Sequence, residues 1–148
     1  MKLAPLLVCL LTFGSAALIR GQSADALVAE GRAFLVAQDL TNATARFASA
    51  VSLAPFNHQA NVLFAATRLL TLAEKPAGKV LLDKLGFTPT NRSIYAWTAT
   101  VPMDTNGVPF APTNMSASEL TGFLRTNLLA EVIGAEANLA AVNNHQFT

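Results

Sequence analysis

In the stretch ADALVAEGRAFLVAQDLTNATARFASAVSLAP, residues 24–55, apolar residues fall at helical spacing twice over, on either side of a short polar break. Leu27, Val28, Phe34 and Leu35 share one broad face, with Ser23 as an N-cap and Asp25 beside the positive helix end. Asp39-Leu40-Thr41 makes the break, and Asp39 or Thr41 can cap the next helix. That helix carries Ala43, Phe47, Ala50 and Val51 and stops at Pro55. Working outward, a third helix is expected from near Asn57 through Val62, Leu63, Leu69, Leu70 and Leu72 to about Glu74. Pro76 and Gly78 break it, and Val80, Leu81, Leu82 and Leu85 form a short fourth helix ending at Gly86. Helices joined by such short turns must lie antiparallel to their neighbours. The expected fold class is all-α, built of antiparallel helical hairpins.

Gly31, Phe34, Ala43, Phe47, Ala50 and Pro55 fall at the spacing of a tetratricopeptide repeat, a helix-turn-helix unit of about 34 residues, and this segment resembles that family. Gly31 and Ala43 are small where two helices cross, Phe34 and Phe47 fill the space between them, and Pro55 ends the second helix. A shift by one period gives a worn second copy, with Ala65 for Gly31, Ala77 for Ala43, Leu81 for Phe47 and Pro89 for Pro55. The departures are Leu27 where the family prefers tryptophan, Glu30 where it prefers leucine, and Arg68 as the counterpart of Phe34. An ordinary helical bundle with alanine-rich crossings is the competing reading.

The resemblance implies a concave face, lined by the first helix of each pair, that holds a peptide or partner protein. On this chain that face comprises Asp25, Val28, Arg32 and Leu35, then Gln59, Val62, Ala66 and Leu69. Arg32 and Gln59 are the side chains suited to gripping a peptide backbone or carboxylate. Since such stacks usually need about three repeats to cover their core, the last helix is expected to cap this face.

Pro89, Pro102, Pro109 and Pro112 forbid a long helix between Phe87 and Asn114. Asp104-Thr105-Asn106-Gly107 reads as a tight turn. The oxygen ligands and closing glutamate that a calcium loop needs are not there. Ile94-Tyr95-Ala96-Trp97 fits a helical turn or a strand. Tyr95 and Trp97, the chain's only tyrosine and tryptophan, would contact a sugar or peptide if exposed and pin the loop if buried; burial is favoured because the rings carry a large apolar area. Ser116-Ala117-Ser118-Glu119 is a capping box. The helix it starts places Leu120, Leu124, Leu128, Val132, Ala135, Leu139 and Val142 on one seam, with Asn127, Glu131 and Asn138 opposite. Internal packing of this seam is favoured over a coiled-coil dimer, because it is alanine-rich and its flanks are uncharged.

At the other end, Lys2, the apolar run Leu3–Ile19 and the small residues Gly14–Ala17 make a secretory signal peptide, with cleavage favoured between Gly21 and Ala24. An uncleaved membrane anchor is the competing reading, weakened by Pro5 and Gly14. Cleavage would remove Cys9, the only cysteine, and with it disulfide and thiolate chemistry. It would also remove Lys2 and Arg20, taking the formal charge from +1 to −1. The organisation expected is a leader over 1–22, hairpins over 23–90, an irregular loop over 91–115 and a C-terminal helix over 116–148. The abrupt end at Thr148 suggests the start of something longer.

A chain of 148 residues that is 52% hydrophobic and 13% charged, with mean hydropathy +0.40, is neither disordered nor a polyanion binder. Its basic residues are scattered singly, which argues against nucleic acid as a partner. His58 and His145 have no ligand partner at helical spacing, so each reads as a surface or helix-end histidine. Around Gly78-Lys79-Val80, Ala73 and Val80 stand where a phosphate loop needs glycine and hydroxyl. No cofactor fingerprint and no nucleophile elbow is present. Glu131 and Glu136 lie on different helix faces, which leaves Asp104 and Glu119 as the acids beside the long loop.

The expectation is a non-enzymatic, exported helical scaffold, periplasmic, secreted or at the cell surface. It would work by protein or peptide contact, as a monomer or as part of a longer chain, and would touch a membrane only through an uncleaved leader. The candidate binding residues are Arg32, Gln59, Tyr95 and Trp97. The alternatives are a structural spacer or cap on a larger surface protein, and a carbohydrate-contacting or hydrolytic domain built around Tyr95 and Trp97.

Overall fold

The structure, a computed structural model, describes residues 22–87, 92–100, 102–110 and 115–142. Expectations resting on residues 1–21, on Pro89 and Pro112, and on His145 lie outside these. Among the described residues the chain is all-helical, without strands. Helix α1 (Ala24–Val36) starts where Ser23 Oγ accepts the Ala26 N–H at 3.1 Å. The turn that follows takes Gln38 to φ 61°, and α2 (Leu40–Leu53) is capped by Asp39, whose Oδ1 accepts the Asn42 N–H at 3.0 Å. That backbone bond, and a second from the Asn42 amide, hold the Asp39 carboxyl below its ordinary range. Asn57 caps α3 (His58–Leu70) in the same manner, and a 3-10 turn (Thr71–Ala73) follows. Pro76 does more than end what precedes it. As the first residue of α4 (Pro76–Lys84), it loses no intrahelical hydrogen bond there. Gly86, at φ 79°, follows that helix.

The core lies where α1, α2 and α3 meet. Leu27, Val28, Ala43, Phe47, Ala50 and Ala60 form one buried cluster, with Phe34, Leu35, Val51, Leu63 and Phe64 packed against it. Phe47 is fully buried, and such burial contributes about 1.5–3 kcal/mol. Gly31 makes room for it: a Cβ there would lie 2.8 Å from Phe47 Cδ1 and nearer still to Cε1. Leu69 and Leu70, expected as part of the α3 apolar face, are instead 42% and 46% exposed, because the polar Asn61 and Thr67 occupy the buried side. Thr67 satisfies its hydroxyl on the Leu63 carbonyl at 2.9 Å.

The segment after Ser116 is one continuous helical run: α5 (Ala117–Phe123), a π-helical turn (Leu124–Leu128) and α6 (Leu129–Ala140). Its capping box is complete, since Ser116 Oγ accepts the Glu119 N–H while Glu119 accepts the Ser116 N–H. The π turn forms where the Leu129 N–H reaches back to the Leu124 carbonyl and Thr126 Oγ1 donates to the Gly122 carbonyl at 2.7 Å.

Two expectations are corrected here. The helix lying along α3 is α6, whereas α4 rests mainly on the 3-10 turn and α5, so the worn second copy does not pair α3 with α4. The seam of α5 and α6 is also not the predicted one. Ala135 and Val142 are buried, but Leu124, Val132 and Leu139 are exposed, and Asn138 and the half-buried Glu131 turn inward. Two physical reasons account for this. The π turn accommodates one extra residue, which rotates α5 by about 100° relative to α6. Beyond it, α3 presents polar groups that only polar partners can satisfy. Asn138 Nδ2 donates to Asn61 Oδ1 at 2.9 Å, and Glu131 accepts from Arg68 Nε at 3.0 Å and from Lys75.

In the connecting loop, Ala96 N donates to the Ser93 carbonyl at 3.1 Å, so residues 93–96 form a turn and not a strand. The expected turn at Asp104 is present. Asp104 Oδ1 accepts from Asn106 N and Val108 N, Gly107 takes φ 75°, and Met103 bridges to Pro109.

Candidate functional site

Helices α1 and α3 both rest on α2 but scarcely touch each other. The gap is a groove with a volume of ≈ 980 Å³. On α1, the i, i+3, i+4, i+7 positions Asp25, Val28, Ala29 and Arg32 form one wall, as helical periodicity requires. The start of α3 supplies the other, with Asn57, His58, Gln59, Val62 and Leu63. Val28 is buried at the floor, Val62 and Leu63 are half-buried, and Asp25, Arg32 and Gln59 are exposed along the rim. Asn57 joins the walls. Its Nδ2 donates to Asp25 Oδ1 at 3.0 Å while its Oδ1 caps α3.

Of the concave face expected from the sequence, Asp25, Val28, Arg32, Gln59 and Val62 line this groove, and Leu35, Ala66 and Leu69 do not. Arg32 and Gln59 are therefore brought to opposite walls of one space. Arg32 has no carboxylate partner among the described residues, whereas Arg46, Arg68 and Arg92 are each paired. His58 is indeed a helix-end histidine, but its Nδ1 is buried and finds no hydrogen-bond partner among the described residues. With Ala29, Asn57 and Leu63, it is one of four groove residues that the expected face did not include. Its place directly after the cap of α3 was the available signal.

Among the described residues, the last helix does not cap the groove as expected. No residue of α5 or α6 lines the groove, because α6 lies on the Asn61 and Arg68 side of α3.

Tyr95 and Trp97 do not reach the groove, and their environments differ. Trp97 stacks edge-on against Phe87, centroids 5.8 Å apart, and its Nε1 donates to the Ala99 carbonyl at 3.2 Å, yet it stays 42% exposed. An edge-on contact with Phe87 leaves much of the indole open, so the expected burial fails for Trp97. Tyr95 is half-buried, with its hydroxyl enclosed and unpartnered among the described residues. Burial pushes that hydroxyl above its ordinary value, and the carboxylates of Glu74 and Asp39 add to the effect. Asp104 is committed to its own turn and Glu119 to its capping box and Lys84, so these two acids are not an open pair.

Compared with family models, with curated proteins and with solved structures, the chain matches none of them.

Proposed function

We propose that this protein is an exported, non-enzymatic helical scaffold whose α1/α3 groove holds an extended peptide or a segment of a partner protein. The observation that carries this reading is the pairing of Arg32 and Gln59 across an open groove with an apolar floor. A volume of ≈ 980 Å³ is at the upper end of ligand-binding clefts, which run to roughly 1,000 Å³. An apolar floor with a few polar groups on its rim suits a chain that buries alternate side chains and leaves its backbone to be hydrogen-bonded. Gln59 offers both a donor and an acceptor to such a backbone, and Arg32, without a carboxylate partner among the described residues, offers a fork of donors. The tetratricopeptide resemblance of the first helix pair points the same way, and the apolar run Leu3–Ile19 supports export.

The test is a displayed library of random peptides, panned against the purified chain. Enriched sequences should bind Arg32→Ala and Gln59→Ala about tenfold more weakly, a change of about 1.4 kcal/mol, with melting temperatures unchanged. Failure to enrich any sequence, or equal binding by Arg32→Ala, would remove the proposal.

A further inference from the structure

The outward side of the π turn and α6 carries a continuous exposed apolar row. Leu124, Leu129, Val132, Ile133 and Leu139 are each between 43% and 56% exposed along one stripe, and single exposed leucines are ordinary where a continuous row is not. The stripe contains two charges. Arg125 shares a shallow depression with Leu124, Leu128, Leu129 and Val132 near its start, and Glu136 lies near its end, one turn beyond Val132. Both are exposed, and neither has an ion-pair partner among the described residues. They stand eleven residues apart, about 16 Å along the helix, too far to pair with each other.

We propose that this stripe is the interface of a two-fold symmetric dimer, covered by a second copy of the same chain running antiparallel. A two-fold axis crossing the helix between Ala130 and Glu131 sets Arg125 opposite Glu136 of the partner subunit, and the reverse. The same axis places Leu128 against Ile133 of the partner subunit and Leu129 against Val132 of the partner subunit. The self-complementarity of an isologous contact is thus met by the charges and the apolar residues together. A parallel pairing would instead set Arg125 beside its own copy. This interface shares Leu124, Leu128, Val132 and Leu139 with the seam read from the sequence but adds Leu129 and Ile133 and excludes Ala135 and Val142, which are buried within the subunit. It is also independent of the α1/α3 groove.

Sedimentation equilibrium of the purified chain, with Arg125→Glu, Glu136→Arg and the double reversal, tests the proposal. The parent should be dimeric, each single reversal should raise the dimer dissociation constant at least about tenfold, and the double reversal should restore most of that loss. Circular dichroism should be unchanged throughout, since both residues are exposed. A parent that stays monomeric up to about 100 µM, association indifferent to the single reversals, or a double reversal no better than either single one would overturn it.

Discussion

Asn61 of α3 and Asn138 of α6, 77 positions apart in the chain, meet in a buried side-chain hydrogen bond of 2.9 Å. Asn61 also donates to the Pro55 and Asn57 carbonyls, tying the α2–α3 connection to α6. Asn138 Oδ1 has no partner among the described residues. The two amides are therefore unequal. Asn61→Ala should cost about 2–3 kcal/mol, because it strands the Pro55 carbonyl and the Asn138 amide, while the Asn57 carbonyl keeps its bond from the Asn61 backbone N–H; Asn138→Ala should cost nearer 1 kcal/mol, since it removes one unpartnered oxygen while creating another. Urea denaturation of both variants checks the order, and equal losses would show that the extra bond from Asn61 to the Pro55 carbonyl adds no stability.

Glu131 is the second connection between the same helices. Burial alone would raise its carboxyl, but hydrogen bonds and charge from Lys75, with Arg68 adding to both, outweigh that and hold it below its ordinary value. Arg68 also sits 5.0 Å from the Phe64 ring centroid, and a side chain at position 134 would collide with it. Glu131→Ala is expected to cost about 2 kcal/mol in chemical denaturation, the range for charge-assisted hydrogen bonds. Gly134→Ala should destabilise as well, despite alanine's better helix propensity.

Gly31 and Gly122 make a matched pair of helical glycines. A Cβ at Gly31 meets the Phe47 ring, whereas one at Gly122 meets nothing within 4 Å. Gly31→Ala should lose about 1–3 kcal/mol through overpacking, while Gly122→Ala should gain about 0.5–1 kcal/mol from backbone entropy. Thermal melts of the two variants should therefore shift in opposite directions.

Acid should loosen the start of α5. The hydrogen bond from Lys84, then those from the Ser116 backbone and side chain, lower the Glu119 carboxyl from 4.5 to about 2. A carboxyl depressed in the folded state adds stability that is full above its unfolded value and is lost as pH falls. The loss should thus run from about pH 4.5 toward 2. Over that window the melting temperature of Glu119→Gln should fall less than that of the parent. Parallel curves would mean that the link to Lys84 does not form in solution.

Trp97, the only tryptophan, reports on the loop without interference. Its 42% exposure predicts quenching of its fluorescence by iodide, and its contact with Phe87 predicts a shift in emission on Phe87→Ala. As the peptide groove lies elsewhere, oligosaccharides should leave the emission unchanged. A saturable change on their addition would favour the carbohydrate-contacting alternative.

Local chemistry was readable residue by residue. Ser23, Asp39, Asn57 and Ser116 each begin a helix because a short polar side chain ahead of an apolar period has a free N–H to satisfy. The approach of Gly31 to Phe47 and the turn at Asp104 followed from residue size and hydrogen-bonding capacity, and Asp25, Val28 and Arg32 on the α1 wall were among the residues that the tetratricopeptide resemblance implied. Pairings between distant segments were not readable in this way. Nothing in the composition of α4 or α6 tells which of them will lie on α3, because both offer alanine and leucine. The choice rests on Asn61, Arg68 and Lys75 finding Asn138 and Glu131, partners that exist only after the chain has folded back across more than fifty residues. The π turn at Leu124–Leu128 likewise leaves no mark in a pattern that assumes uniform helix, so the buried and exposed sides of α5 and α6 emerged only from packing. Hydrophobic periodicity shows where a helix can bury a face, but polar satisfaction between helices selects the face that is buried.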